Sequence, residues 1–251
     1  MRNLLSWARC LLIYWPVIFF LTLILEPVSL LAGVIDRSGR ARHAVARAWA
    51  AVALWLVAQA SVSGRERIDA SRPRVYAANH LSALDIPLLY RYLPLQFRIM
   101  AHRLVFRVPL IGWWLRGSGS LEIAPESVAL SRRALHEAVK TLQAGISVAI
   151  FPEGERAPKG EMLKFRRGAF YVAVKAQADV VPMAILGTHE ALPLGSAHIR
   201  KRRLRLIMGE PIAVAGYTLK DLDALAEKTQ QAVTTLLHHR DTENTEAHRV
   251  K

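Results

Sequence analysis

Cysteine is nearly absent from this sequence; the only one, Cys10, sits inside an apolar run. A single thiol builds neither a disulfide framework nor a cysteine-based metal site, and it fits a reducing compartment. Acidic residues are also scarce. There are 20 Asp plus Glu against 34 Lys plus Arg, leaving a formal net charge of +14. Such a surplus suits a phosphate-bearing partner, whether nucleic acid, an anionic membrane surface or a phosphorylated small molecule. No zinc-finger spacing and no arginine/aromatic stripe supports a nucleic-acid partner, which is set aside. Internal repeats and low-complexity segments are lacking too.

Charge is nearly missing from one long stretch. Residues 10–35 read CLLIYWPVIFFLTLILEPVSLLAGVI, with Glu26 the only charged residue. A second apolar stretch, residues 44–62, is broken only by Arg47. The first run exceeds an ordinary signal-peptide core, and no small-residue cleavage site closes it. As a helix it is long enough to cross a bilayer core of about 30 Å with some tilt. Pro16, Glu26, Pro27 and Gly33 argue against one clean straight span. Both flanks are basic, Arg2 and Arg9 before it and Arg37, Arg40, Arg42 and Arg47 after it, so both ends can stay cytoplasmic. The reading is a membrane-dipping helical hairpin over residues 1–63, on the cytoplasmic face of an inner membrane among its phospholipids.

The rest of the 251 residues suffices for one sizeable domain. Strand-like runs fall at residues 74–79, 96–101, 119–124, 147–152, 180–186 and 203–209, and helix-like windows at 126–144, 165–178 and 219–239. Alternation of this kind predicts an α/β domain over 64–240, with a mixed, largely parallel sheet flanked by helices. Residues 241–251 read as a polar tail.

Two short phrases carry chemistry. In NHLSALDIP, Asn79 and His80 end a strand, and Asp85 follows five residues after His80. A turn there brings Asp85 back to the imidazole, fixing Nδ1–H in a hydrogen bond and leaving Nε2 as a base. An unperturbed histidine, with a pKa of about 6.5, suits deprotonating an alcohol as it attacks a thioester. A competing reading is structural: Ser82 and Asp85 form an S-x-x-D capping box. The second phrase, FPEGERAPKGEMLKFRRGA, spans 151–169. It runs from a strand into Glu153 and Gly154 and then into Arg156, Lys159, Lys164, Arg166 and Arg167. Glycine lets backbone approach a ligand closely, and arginines offer paired donors to phosphate.

N-H-x-x-x-x-D followed about seventy residues later by F-P-E-G-x-R resembles the glycerolipid acyltransferase family, in particular its bacterial 1-acylglycerol-3-phosphate acyltransferases. The resemblance covers residues 74 to about 215, including FRVPLIGWWLRGSG, KFRRGAF, V-P-M-A-I and M-G-E-P-I. It implies acyl transfer from an acyl-carrier-protein or coenzyme A thioester to the free hydroxyl of a lysophospholipid, giving phosphatidate in phospholipid biosynthesis. It implies no metal and no further cofactor. His80 would be the general base, oriented by Asp85. Asn79, Glu153, Gly154, Arg156, Arg166 and Pro182 would contact substrate, with Glu153 and Gly154 shaping the acceptor end, Arg156 on its phosphate and Pro182 near the acyl donor.

The sequence departs from the family pattern twice. Pro125 stands where an I-D-R phrase would supply a phosphate-binding arginine, and Glu155 replaces the usual threonine after Pro-Glu-Gly. Both changes weaken a phosphate site. A different lyso-acceptor, such as a lyso-aminolipid, is therefore the alternative. A membrane module that merely holds anionic lipid would need neither His80 nor Asp85.

Overall fold

The computed structural model describes residues 2–158 and 160–249. Lys159, part of the second phrase, and the last two residues of the tail lie outside the described residues. The chain opens with α1 (Arg2–Arg9), a π-helical turn (Cys10–Tyr14) and α2 (Trp15–Ile35), which together form one continuous helical rod. Pro16 lacks the N–H that would bond one turn back. The rod absorbs it by widening locally, and the Trp15 N–H bonds the carbonyl of Cys10. The stretch Leu4–Ile35 has 32 residues, and its most apolar 18-residue window, with mean hydropathy 2.3 and 11% of its residues buried, is long and apolar enough to cross a membrane.

A turn led by Asp36 reverses the chain into α3 (Arg40–Val57), which packs along α2. The Asp36 carboxylate accepts from the Ser38 and Ala41 N–H groups at 2.9 and 2.8 Å and so satisfies donors at the start of α3. A helical hairpin is present, but its second arm is a domain helix. Ala46, Ala50, Leu54 and Val57 are buried in the core beneath it. The hairpin is also keyed to the domain by Arg42. Its guanidinium fills the space where a Cβ on Gly33 or on Gly117 would sit, within 1.8 and 1.7 Å.

The sheet has seven strands: β1 (Ala58–Ser63), β2 (Val75–Ala78), β3 (Phe97–His102), β4 (Leu121–Ile123), β5 (Ser147–Ile150), β6 (Val180–Leu186) and β7 (Arg202–Met208). Their order is β1-β7-β6-β2-β5-β3-β4, and all neighbours are parallel except β6 and β7. The remaining helices are α4 (Asp85–Tyr92), α5 (Arg103–Phe106), α6 (Ile111–Gly117), α7 (Val128–Gln143), α8 (Gly168–Ala176), α9 (Thr188–Ala191) and α10 (Leu222–Arg249). Six of these strands match the sequence expectation. Strand β1 does not: the boundary drawn at residues 63/64 cuts the domain, because Ala58–Ser63 pairs with β7 at the sheet edge. Likewise α10 runs through the expected start of the tail to Arg249.

Strands β2, β5 and β6 are buried along their whole length, as a parallel sheet covered on both faces requires. Alternate residues go to opposite cores. Tyr76, Ala78, Met183 and Ile185 join the core under α3 and α4, whereas Val75, Ala77, Val180 and Ala184 join that under α7, α8 and α10. The carboxyl ends of β2 and β5, adjacent in the sheet, carry the two phrases singled out above.

Candidate active site

His80 leaves the buried end of β2, and Asp85 opens α4 after a tight turn. The turn does what the spacing requires. His80 Nδ1 lies 2.8 Å from Asp85 Oδ2, and the same oxygen accepts from the Leu81 and Ser82 N–H groups at 2.7 and 2.9 Å. The structural reading and the chemical one are therefore realised by one atom. Asp85 caps the turn as the second half of a capping box does, and it holds the imidazole as well. Ser82 Oγ accepts from the Leu84 N–H at 3.3 Å within the turn and donates to the Leu192 carbonyl at 2.7 Å. Because the partner is a carboxylate, Nδ1 carries the proton and Nε2 keeps its lone pair. Nε2 has no hydrogen-bond partner among the described residues, and the side chain of His80 is 17% exposed.

The imidazole is stacked on Phe151 from the end of β5, with centroids 3.9 Å apart and planes 13° from parallel. Two residues on, Glu153 is fully buried. Its Oε1 accepts from the His80 N–H and its Oε2 from the Leu163 N–H, both at 2.7 Å. The His80 carbonyl in turn accepts from Ala157 N–H at 2.9 Å. Glu153 thus joins the two phrases through the backbone of His80. Burial pushes its carboxyl up to about 7, against the lowering effect of its two backbone donors. Glu153, expected at the acceptor end of the site, has its carboxylate turned into the interior. Both of its oxygens are engaged by backbone, so it shapes the site from behind.

The Asn79 amide is likewise engaged in the interior. Its Oδ1 accepts from Ile185 N–H at 2.7 Å and its Nδ2 donates to Ile185 C=O at 3.0 Å, completing the β2–β6 pairing with a side chain. Pro182 is not beside His80. It pairs with Ala77 in mid-strand and lines a cleft of about 450 Å³ with Gly209, Ile212 and Leu236. Strand alternation sends it to the face covered by α10. Gly154 takes φ +80°, and Arg166 lies over it, 3.1 Å from where a Cβ would be. Arg166 Nη2 is paired with Glu155 at 2.9 Å. Arg156 is exposed and makes no hydrogen bond or ion pair with the described residues.

A family model described as Acyltransferase matches residues 59–186, from β1 through β6 and across both phrases. This chain belongs to the acyltransferase family. It is 33% identical over 174 residues to a chloroplastic 1-acyl-sn-glycerol-3-phosphate acyltransferase of Arabidopsis thaliana, covering 68% of this chain and 48% of that one. It is 30% identical over 239 residues to a 1-acyl-sn-glycerol-3-phosphate acyltransferase of Chlamydomonas reinhardtii, covering 94% and 69%. The match thus spans about half the length of the Arabidopsis relative. The crystal structure of a 1-acyl-sn-glycerophosphate acyltransferase from Thermotoga maritima has the same fold, with TM-score 0.82 and 24% identity over 96% of this chain and 98% of that one.

Within this acyltransferase-family domain, three contacts escaped the sequence reading. Phe151 walls the imidazole; its place at the end of an apolar strand was the available signal. Ser82 ties the turn to Leu192, and Leu163 to Glu153, through contacts that no local pattern announces. Pro125 follows the end of β4, and beside it Glu126 pairs with Arg103 at 3.4 Å and with His102 at 3.7 Å. The guanidinium of Arg103, at the end of the neighbouring β3, is therefore already engaged.

Proposed function

We propose that this protein transfers a fatty acyl group from an acyl-carrier-protein or coenzyme A thioester to the free hydroxyl of 1-acylglycerol 3-phosphate, giving phosphatidate. The observation that carries this reading is the 2.8 Å contact between His80 Nδ1 and Asp85, with Nε2 left free at the domain surface. The activities for which the Arabidopsis and Chlamydomonas relatives are named support the acceptor. In this mechanism the acceptor hydroxyl donates to Nε2, and its oxygen attacks the thioester carbonyl as the proton passes to the ring. The tetrahedral adduct collapses with cleavage of the C–S bond, and the imidazolium returns the proton to the departing thiolate. Alcohol and thioester become ester and thiol. Asp85 stabilises the transient imidazolium and holds the tautomer.

Arg156 binds the acceptor phosphate in this reading, since it is the cation next to Gly154 whose guanidinium is unengaged. The ion pair between Glu155 and Arg166 bears on the acceptor too. It neutralises the extra carboxylate beside the anion site and removes the group a lyso-aminolipid would need, so a phosphate monoester is preferred. The apolar rod Leu4–Ile35 holds the enzyme at the cytoplasmic face of the membrane that supplies the acceptor. The test is an acyl-transfer assay with a panel of lyso-acceptors, each run with both thioester donors. Phosphatidate formation at the highest kcat/KM is expected; preference for a lyso-aminolipid would overturn the acceptor, and transfer to none would overturn the reaction.

A further inference from the structure

Between β3 and β4 the chain makes a compact projection from α5, a turn and α6. Its interior half is well packed: Phe106 and Leu115 are buried, and α6 rests against α2. The turn is tight. Leu110 is held at φ +64°, a region that side chains rarely occupy, and a Cβ on Gly112 would come within 2.0 Å of the Phe106 carbonyl. The outer half is apolar and uncovered, with Leu104, Val108, Ile111 and Trp113 all exposed, Trp113 to 57%. Cations border these side chains. Arg107 is exposed without an ion-pair partner among the described residues, and Arg116 lies over the Phe106 ring at 6.0 Å.

An apolar tip carrying an exposed tryptophan and ringed by arginines has the chemistry of a bilayer interface. The aliphatic groups enter the acyl region, the indole sits at the headgroup level and the guanidinium groups meet lipid phosphates. The tip also adjoins α2, whose exposed residues are overwhelmingly apolar. We propose that this α5–α6 tip is a second membrane contact, borne by the catalytic domain itself, and that its occupant is the surface of an anionic phospholipid bilayer. The proposal rests on the membrane-anchored reading of Leu4–Ile35 and adds a site to it.

The contact has a consequence for the reaction. Helix α5 starts where β3 ends, at the same edge of the parallel sheet as His80 and Glu153. Strand β3 is separated from β2 by β5 alone, roughly 10 Å at the usual strand spacing. Seating the tip in the headgroups brings the His80 edge close to the lipid surface. A lyso-acceptor then reaches Nε2 with its acyl chain still largely in the bilayer. The tip therefore governs access of membrane-borne acceptor and not the chemistry.

The test places an environment-sensitive thiol fluorophore at Val108→Cys in the full chain, with Lys175→Cys on α8, across the sheet, as control; the native Cys10 is buried. The vesicles are phosphatidylcholine with phosphatidylglycerol, with and without nitroxide-labelled acyl chains. A blue shift at position 108, and quenching by the chain nitroxides at least about threefold greater than at 175, is expected for groups inserted below the headgroups. Co-sedimentation with a water-like spectrum at 108 would overturn this proposal alone. Failure to sediment would overturn the anchor reading and this proposal with it. A blue shift without vesicles that grows with protein concentration would assign the tip to a second copy instead. The paired variant Val108→Asn/Trp113→Gln should raise the apparent KM for vesicle-borne acceptor by about fivefold or more, with detergent-dispersed acceptor changed less than about twofold. Equal losses in both assays would contradict a membrane role.

Discussion

The indole of Trp7 stacks on the imidazole of His198, centroids 4.2 Å apart and planes 20° from parallel. Around this pair the amino-terminal rod is clasped to one loop of the domain. Ser6 Oγ meets His198 Nε2 at 3.0 Å, Trp15 donates to the Ala197 carbonyl at 2.8 Å, and Ile199 N–H donates to Cys10 Sγ at 3.2 Å. The same loop returns to the site, since Arg200 N–H bonds Ala191 C=O and Ser82 Oγ bonds Leu192 C=O. Replacing His198 by alanine removes the stack and one hydrogen bond. Amide exchange in the loop 191–200 should then accelerate by about tenfold, the equivalent of roughly 1.4 kcal/mol, while vesicle binding persists. Unchanged exchange would mean that the remaining contacts hold the loop unaided.

His80→Ala is expected to lower kcat by about 10² to 10⁴ without unfolding the protein, because it removes the base and leaves the turn's backbone bonds to Asp85. Asp85→Asn should be damaging in both respects. It strips the imidazole of its carboxylate and weakens the acceptor of two backbone N–H groups. Single-turnover rates and denaturation midpoints, measured on the same samples in detergent, separate the two effects. A His80→Ala protein within a few-fold of wild type would remove the histidine from the mechanism.

Glu153 makes stability depend on pH in a definite direction. Its folded pKa, raised to about 7, lies above the ordinary value of 4.5. Below 4.5 the group is protonated in both states and its contribution is fully present. As pH rises toward 7 the unfolded chain releases the proton first, so that contribution is progressively lost. The gap corresponds to roughly 3 kcal/mol at about 1.4 kcal/mol per pH unit. Glu153→Gln lacks the titration. Between pH 4.5 and 8, wild-type stability should therefore fall relative to the variant, a trend read from denaturant midpoints. Parallel curves for the two proteins would place the titration elsewhere.

The acceptor side is tested with three substitutions. With lysophosphatidate as acceptor, Arg156→Ala should raise the acceptor KM about tenfold and leave the donor KM nearly unchanged, as expected for losing a charged hydrogen bond worth roughly 1.5 to 3 kcal/mol. Glu155→Thr frees Arg166 from its ion pair and should lower the acceptor KM. Pro125→Arg should lower it or leave it unaltered. Damage from Glu155→Thr alone, confined to a lyso-aminolipid acceptor, would transfer the specificity to that lipid.

Some of this was legible in the linear chain because it depends on near neighbours. The apolar rod, the six strands from β2 to β7, and the His80/Asp85 relation all follow from periodicity or from a turn within a few residues. Strand β1 left one local trace, the alternation Ala-Gln-Ala-Ser-Val-Ser at 58–63, hidden by the helix running into it. The helical run continues past Pro16 and Pro27 for a physical reason. Pro16 is absorbed by the π-helical turn before it, and Pro27 lies within a helix that continues to Ile35.

What residues 79, 153 and 182 touch depends on the assembled sheet. Asn79 meets Ile185 across 106 positions of chain, and Glu153 meets the His80 backbone across 73. Pro182 follows the α10 face because a strand's alternation is anchored by its neighbours' register. Residue type and spacing determined which groups can exchange a proton. Burial and long-range pairing decided which polar groups are consumed in holding the site together, since a buried donor or acceptor must be satisfied by whatever the fold brings to it.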